Sequence, residues 1–283
     1  MEHASSITVR RYLVGRRLRL LREQAGKTTT EAATFAYLKQ PTITRIEKGR
    51  HAILERNVRR LCELYEVDAA GTEQLVSDAL ASDGTEWFAV YSETVPDWFE
   101  YFVAFESDAA EIRSYQAENV PGLLQVPDYI RGITSAGRSG VSSDELDRSV
   151  RFRVARQRRL ELNPPTLHYV LNEAVIRRMV GGVDAMRGQL QHLIKMAEQD
   201  YLALQLLPFS AGAHPAQAGS FTMLRLPDEA EPNFVYLEHD HGAVYQEREQ
   251  DLARYGAVFD QLTRLALSPE ETVAALTSLV NEL

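Results

Sequence analysis

The sequence predicts two domains of different class. Residues 1–82 read as an all-α domain of about five helices, and residues 83–283 as an α+β domain with a mostly antiparallel sheet. Three observations carry this. Between Arg10 and Ala81, apolar residues recur at helical spacing and are punctuated by glycines. Ser82-Asp83-Gly84-Thr85 then forms a polar break, after which the composition shifts. Beyond residue 200, strand-like stretches succeed one another across short turns. A length of 283 residues agrees with about two domains.

From Arg10 to Gly26, Val14, Leu18, Leu21 and Ala25 form one apolar face, and Arg16, Arg17, Arg19 and Arg22 occupy the rest. Gly26 is a helix stop. Thr28, Thr29 and Thr30 follow; a threonine here caps the next helix, with Glu31 in its first turn. That short helix runs to about Tyr37 and buries Ala32, Ala33 and Ala36, small residues that let two helices cross closely. A turn around Leu38 and Lys39 leads into Gln40-Pro41-Thr42-Ile43-Thr44-Arg45-Ile46-Glu47-Lys48-Gly49. Proline is tolerated in a first helical turn, where an N–H has no helical partner. Ile43 and Ile46 point inward and leave Gln40, Thr44 and Arg45 facing out. Gly49 ends this helix. A fourth, about Glu55 to Tyr65, buries Val58, Leu61, Cys62 and Tyr65, and a fifth, Asp68 to Ala81, closes the domain.

Two short helices joined by a tight turn, the second presenting Gln, Thr and Arg outward, make a helix-turn-helix. Such a second helix fits the major groove of double-stranded DNA, where Arg forks onto guanine and Gln pairs with adenine. The segment resembles the helix-turn-helix of the phage-repressor and xenobiotic-response-element type of regulator. The carrying strings are Leu18-x-x-Leu21-Arg22-Glu23, Ala25-Gly26-x-Thr28 and Thr42-Ile43-Thr44-Arg45-Ile46-Glu47-x-Gly49. The resemblance implies base contacts from Gln40, Thr44 and Arg45. It implies phosphate contacts from Lys39, Thr42, Lys48 and Arg50, with Thr29 and Thr30 at the start of the second helix. It further implies a homodimer reading a near-palindromic operator. Two positions depart from the pattern. Thr29 stands where glutamine is usual, with a shorter reach, and Pro41 replaces a small polar residue, leaving only ring contact with a thymine methyl.

Charge agrees with this division. The chain carries a net −9, but residues 1–66 hold 14 Lys and Arg against 7 Asp and Glu, a net of +7. The other 217 residues hold 17 against 33, a net of −16. A basic head on an acidic body is the pattern of a tethered polyanion binder.

In the body, eight of the nineteen residues from Trp87 to Phe105 are aromatic, and a helix starts at Pro96-Asp97 and runs to about Glu106. Such a cluster reads first as core and second as a ligand pocket. Ile112 to Gln116 and Leu167 to Leu171 read as strands, Pro127 to Ser135 and Asp184 to Gln199 as helices. The Gly137-Arg138-Ser139-Gly140 loop precedes a long helix, Ser143 to Leu162, whose Arg148, Arg151, Arg153, Arg156, Arg158 and Arg159 read as a solvated face paired with nearby acids. Tyr201–Leu207, Ser220–Leu226, Phe234–Glu238 and Ala243–Gln246 read as strands in antiparallel pairing. Helices at about Glu247–Leu267 and Pro269–Asn281 close the chain.

Residues 86–283 resemble the C-terminal domain of a large actinobacterial group of regulators. The strings are Pro96-x-Trp98-Phe99, Glu106-x-x-Ala109, Val120-Pro121-Gly122-Leu123-Leu124-Gln125, Arg153-x-x-Arg156-Gln157, Val235-Tyr236-x-Glu238-His239 and Gly242-x-x-Tyr245. The resemblance implies a regulator of developmental or antibiotic-related genes with an antitoxin-like domain of unknown function. Such proteins are often encoded beside a small acidic partner protein.

The functional expectation is a sequence-specific DNA-binding transcriptional regulator whose C-terminal domain binds a partner protein or a signal. The alternatives are an antitoxin-like interaction protein that sequesters a small partner, and a small-molecule sensor. Enzymatic activity is not expected. The chain has no His-Glu-x-x-His, no Gly-x-x-x-x-Gly-Lys and no Gly-x-Ser-x-Gly. His214, His239 and His241 invite a metal site, but Glu238-His239-Asp240-His241 abuts Gly242 and reads as a turn, so neither metal nor cofactor is expected. The longest nearly apolar run, Tyr201 to Phe209, falls far short of the ~20 residues of a membrane helix. Met1 to Arg11 lacks the apolar core of a secretory signal, and the single cysteine, Cys62, suits a reducing cytoplasm.

Overall fold

The structure, a computed structural model, describes residues 7–82, 87–91, 95–137, 140–227 and 233–283. The chain divides into two compact units, residues 1–90 and 91–283. Of the expected break at Ser82-Asp83-Gly84-Thr85 only Ser82 is among the described residues. Arg138 and Ser139 of the expected loop, and the first six residues, also lie outside them.

The first unit holds five α-helices among the described residues: α1 (Ile7–Gln24), α2 (Thr29–Ala36), α3 (Gln40–Glu47), α4 (Glu55–Leu64) and α5 (Ala69–Ala81). Their core is the set the spacing selects. Val14, Leu18, Ala32, Ala33, Ala36, Ile43, Ile46, Val58, Leu61 and Cys62 are all buried together. Two glycines let α1 lie against the end of α3. A Cβ on Gly15 would sit 2.1 Å from the Ile46 carbonyl oxygen, and one on Gly49, whose φ is +70°, 2.6 Å from Tyr12 Cα. Arg22 does not belong to the polar face of α1. It is buried, and its Nε and Nη2 donate to the two oxygens of Glu47 at 2.6 and 2.9 Å. Its Nη1 donates to Lys27 O at 2.9 Å, closing the α1–α2 turn.

The second unit is α+β. Its six-stranded sheet has the order β3-β2-β1-β4-β5-β6. The strands are β1 (Glu111–Gln116), β2 (Thr166–Asn172), β3 (Leu202–Leu207), β4 (Phe221–Arg225), β5 (Phe234–His239) and β6 (Gly242–Gln246). The expected mostly antiparallel sheet is corrected: it is mixed. β1, β2 and β3 pair in parallel, because helical segments connect them, and parallel neighbours require such crossovers. The crossovers are α7 (Pro127–Gly137), α8 (Ser143–Gln157) and α9 (Arg159–Leu162) before β2, and α10 (Glu173–Arg177) and α11 (Val183–Met196) before β3. β4 does not pair with β3, its neighbour in sequence; it returns antiparallel to β1 and β5, and β5 pairs antiparallel with β6.

Strand alternation gives the sheet two apolar faces. On one, Tyr115, Val170, Phe221 and Val235 pack against Phe259 and Leu262 of α12 (Glu249–Leu265). On the other, α6 (Asp97–Asp108) stacks Phe105 on Phe234 and Phe102 on Tyr236, each pair 4.3 Å between centroids. The closing helix α13 (Pro269–Glu282) starts with a capping box, Ser268 with Glu271.

The arginine-rich segment departs from a solvated face. The helix breaks at Arg158, and several arginines turn inward. Arg156 is buried and forks onto Glu106 of α6 with two bonds of 2.8 Å. Arg159 donates to the carbonyl oxygens of Glu106 and Ala109, capping the end of α6. Arg151 and Arg158 remain exposed.

Two stability outcomes follow. Glu106→Ala strands a buried guanidinium and is expected to cost about 3–5 kcal/mol in urea denaturation, whereas the double variant Glu106→Leu, Arg156→Met is expected to recover most of that. Equal losses for the two would refute a desolvated pair. In the first unit, Gly15→Ala is expected to cost about 3 kcal/mol or more, read as lost hydrogen-exchange protection of α1 and α3 amides. Gly26→Ala, where the φ of +65° is strained but the space is open, is expected to cost only ~1–2 kcal/mol.

Candidate nucleic-acid interface

Helices α2 and α3 are positioned by their ends. Thr28 caps α2 in a full capping box: its hydroxyl accepts from Glu31 N–H, and the Glu31 carboxylate accepts from Thr28 N–H at 2.8 Å. That backbone bond, followed by one from the Thr28 hydroxyl, holds the Glu31 carboxyl below its ordinary pKa. α2 stops at Tyr37, whose left-handed backbone (φ 57°) turns the chain toward α3. The exposed Tyr37 ring lies under the Arg60 guanidinium, 4.4 Å from its centroid, so α4 braces the turn. α3 begins at Gln40 with Pro41 in its first turn, and Lys39 precedes it without a side-chain cap.

The expected contact residues fall as follows. Lys39, Gln40, Arg45, Lys48 and Arg50 are exposed, as is Thr30; Thr29, Thr42 and Thr44 are half-buried. Gln40 Nε2 donates to Thr29 Oγ1 at 3.2 Å, which joins a proposed base reader to a proposed phosphate contact across the turn. An amide NH2 has a second hydrogen, so Gln40 keeps one N–H and its carbonyl for a base edge. Thr44 donates its hydroxyl to Gln40 O at 3.3 Å, which leaves the oxygen able to accept. The Arg45 side chain makes no hydrogen bond or ion pair among the described residues and keeps its five N–H donors.

Spacing alone did not single out the Arg22–Glu47 fork or the tight Gly15 crossing, which set how α3 leaves α1. Both need a partner some thirty residues away in sequence. The Glu47 charge also reaches Tyr65: desolvation first, then that carboxylate, raises the buried phenol's pKa.

In the second unit the histidines are held locally. His214 Nε2 lies 3.4 Å from the Tyr115 hydroxyl, and His239 Nδ1 accepts from His241 N–H at the β5–β6 turn. Among the described residues no three His, Cys, Asp or Glu are grouped to hold a metal ion, and no helix is long and apolar enough to cross a membrane.

Comparison with known families places both units. Residues 13–75 match a helix-turn-helix domain. Residues 99–278 match a domain of unknown function, DUF5753. Comparison with curated proteins gives no significant match. Most of the chain is thus covered by one family, and the protein belongs to the DUF5753 family, with a helix-turn-helix domain at its N-terminus.

Proposed function

We propose that the chain is a cytoplasmic, non-enzymatic transcriptional regulator of the xenobiotic-response-element type from an actinobacterial host. It acts as a homodimer on a near-palindromic operator, and its C-terminal unit receives the regulatory input, a partner protein or a signal. The observation that carries this reading is α3 itself. It presents Gln40 and Arg45 to solvent from a helix whose other face is sealed by Ile43, Ile46 and the Arg22–Glu47 fork. A rigid helix with Gln and Arg on its outer face suits a major groove. The net +7 of residues 1–66 supplies the attraction to phosphate.

The test is selection of the full chain against a random duplex library. Enrichment of an inverted repeat with half-sites about one helical turn apart is expected; no enrichment would remove the reading. On the selected site, Arg45→Ala is expected to lose ~1–3 kcal/mol concentrated at one base position. A uniform loss over all sequences would sink that role. Lys48→Ala is expected to weaken binding evenly and to make the slope of log K against log salt shallower by about 1.

A further inference from the structure

The second unit holds a half-open cavity of about 620 Å³ between α6, α8 and the open face of the sheet. Small-molecule sites run from roughly 300 to 1,000 Å³. One wall is aromatic. Phe99 stacks on Phe102 at 5.2 Å, Phe102 on Tyr236 at 4.3 Å, and Trp98 meets Phe99 edge-on at 5.8 Å. Arg156 sits behind this wall, 5.2 Å from the Phe99 ring, with its charge balanced by Glu106.

Two polar groups of the lining lack a counterpart. Arg153, one helical turn before Arg156, lines the same cavity, and its side chain makes no hydrogen bond or ion pair among the described residues. Desolvation, then the repulsion of Arg156, pushes its guanidinium down to about 10, against a weaker pull from Glu238. Gln125 is buried; its Nε2 donates to Val120 O at 2.8 Å, but its Oε1 has no partner among the described residues. A buried amide oxygen without a donor is costly, so a ligand that brings one is favoured there.

We infer that this cavity binds a small aromatic monocarboxylic acid bearing an O–H or N–H donor. The carboxylate meets Arg153, the ring lies against the Phe99–Phe102–Tyr236 wall, and the donor reaches Gln125 Oε1. Of the two guanidiniums in the lining, Arg156 is paired with Glu106, whereas Arg153 has only the weaker pull of Glu238, so one added negative charge is matched there. A phosphate dianion would add a second charge near Glu106 and Glu238, both in the lining. Flat apolar surface beside a fork of donors favours a ring carrying a planar carboxylate.

The experiment is calorimetric titration of the full chain, without DNA, with 4-hydroxyphenylacetate, indole-3-acetate and the uncharged 4-hydroxyphenylacetamide, alongside tryptophan fluorescence to report on Trp98. The inference expects saturable binding of at least one acid and binding of the amide at least tenfold weaker. Arg153→Gln is expected to weaken the acid roughly ten- to a hundredfold and leave the amide unchanged, with Arg153→Lys in between. Absence of binding by both acids at millimolar concentration overturns it. So does equal binding of acid and amide, or an unchanged affinity in a folded Arg153→Gln chain. Should that variant not fold, the acid–amide comparison on the wild type still decides. With no DNA present, failure here leaves the reading of α3 untouched.

Discussion

A guanidinium taken out of water keeps its charge, and leaving it without a carboxylate in matching geometry is costly. The chain meets this constraint twice. In the first unit Arg22 forks onto Glu47, and in the second Arg156 forks onto Glu106. Each fork joins two helices that no local spacing would bring together. The Arg22 pair fixes the end of α3 against α1, where Gly15 and Gly49 remove the side chains that would hold them apart. The Arg156 pair fixes α8 against α6, and Arg159 adds a cap on the α6 carbonyls. Specific geometry in both units therefore depends on charge pairs that contribute little net stability when intact but cost much when halved.

The second fork also shapes what lies around it. Gly122 sits where a Cβ would press to 3.2 Å on both Nη atoms of Arg156, so a glycine there eases the approach of the 120–125 loop to the guanidinium. The loop is itself buried, and its backbone groups need partners. Three glutamines serve them. Gln125 Nε2 donates to Val120 O, Gln157 Nε2 to Gly122 O and Gln125 O, and Gln189 bonds both Leu124 O and Val126 N–H. Tyr129 adds its hydroxyl to Val120 N–H, and Tyr245 its own to Trp98 O. The strings that carry the family resemblance are thus the walls of one cavity and the groups that hold those walls.

Much of this was legible in the sequence, and what was not has a common cause. Helix periodicity is local, so the five helices of the head and their buried residues Leu18, Ala33, Ile43 and Leu61 follow from spacing. A threonine cap with Glu31 in the first turn follows from the run Thr28-Thr29-Thr30-Glu31, and the structure assigns it to Thr28. Arg22 and Arg156 were read as polar faces because their partners lie 25 and 50 residues away, and a charged residue read locally is a solvated one. The strands were found, but their pairing was taken from nearness in sequence. That fails for β3 and β4, because β1 lies in the middle of the sheet and accepts β4 instead. The five residues of α10 make little more than one helical turn, too few for a repeating apolar spacing to mark a helix. For the aromatic cluster at 87–105, core and pocket wall were posed as rivals, yet Phe102 is at once buried and part of the cavity lining.

On the proposed reading, the local chemistry of α2 and α3 divides affinity from specificity. The first turn of a helix offers unpaired N–H groups to an anion. α3 offers few: Pro41 has none, and Thr42 and Ile43 both donate to Lys39 O. α2 retains those of Thr29 and Thr30, since its cap engages only Glu31 N–H. The start of α2 therefore offers a phosphate anchor more open backbone donors than the start of α3, with the Glu31 carboxylate of the cap beside them. The hydrogen bond between Thr29 and Gln40 then ties the Gln40 amide, at the N-terminal end of α3, to that anchor. The shortened reach of Thr29 is compensated by backbone donors beside it. Pro41, which removes a donor from α3, leaves its outer face to the side chains of Gln40, Thr44 and Arg45, the groups able to tell one base pair from another.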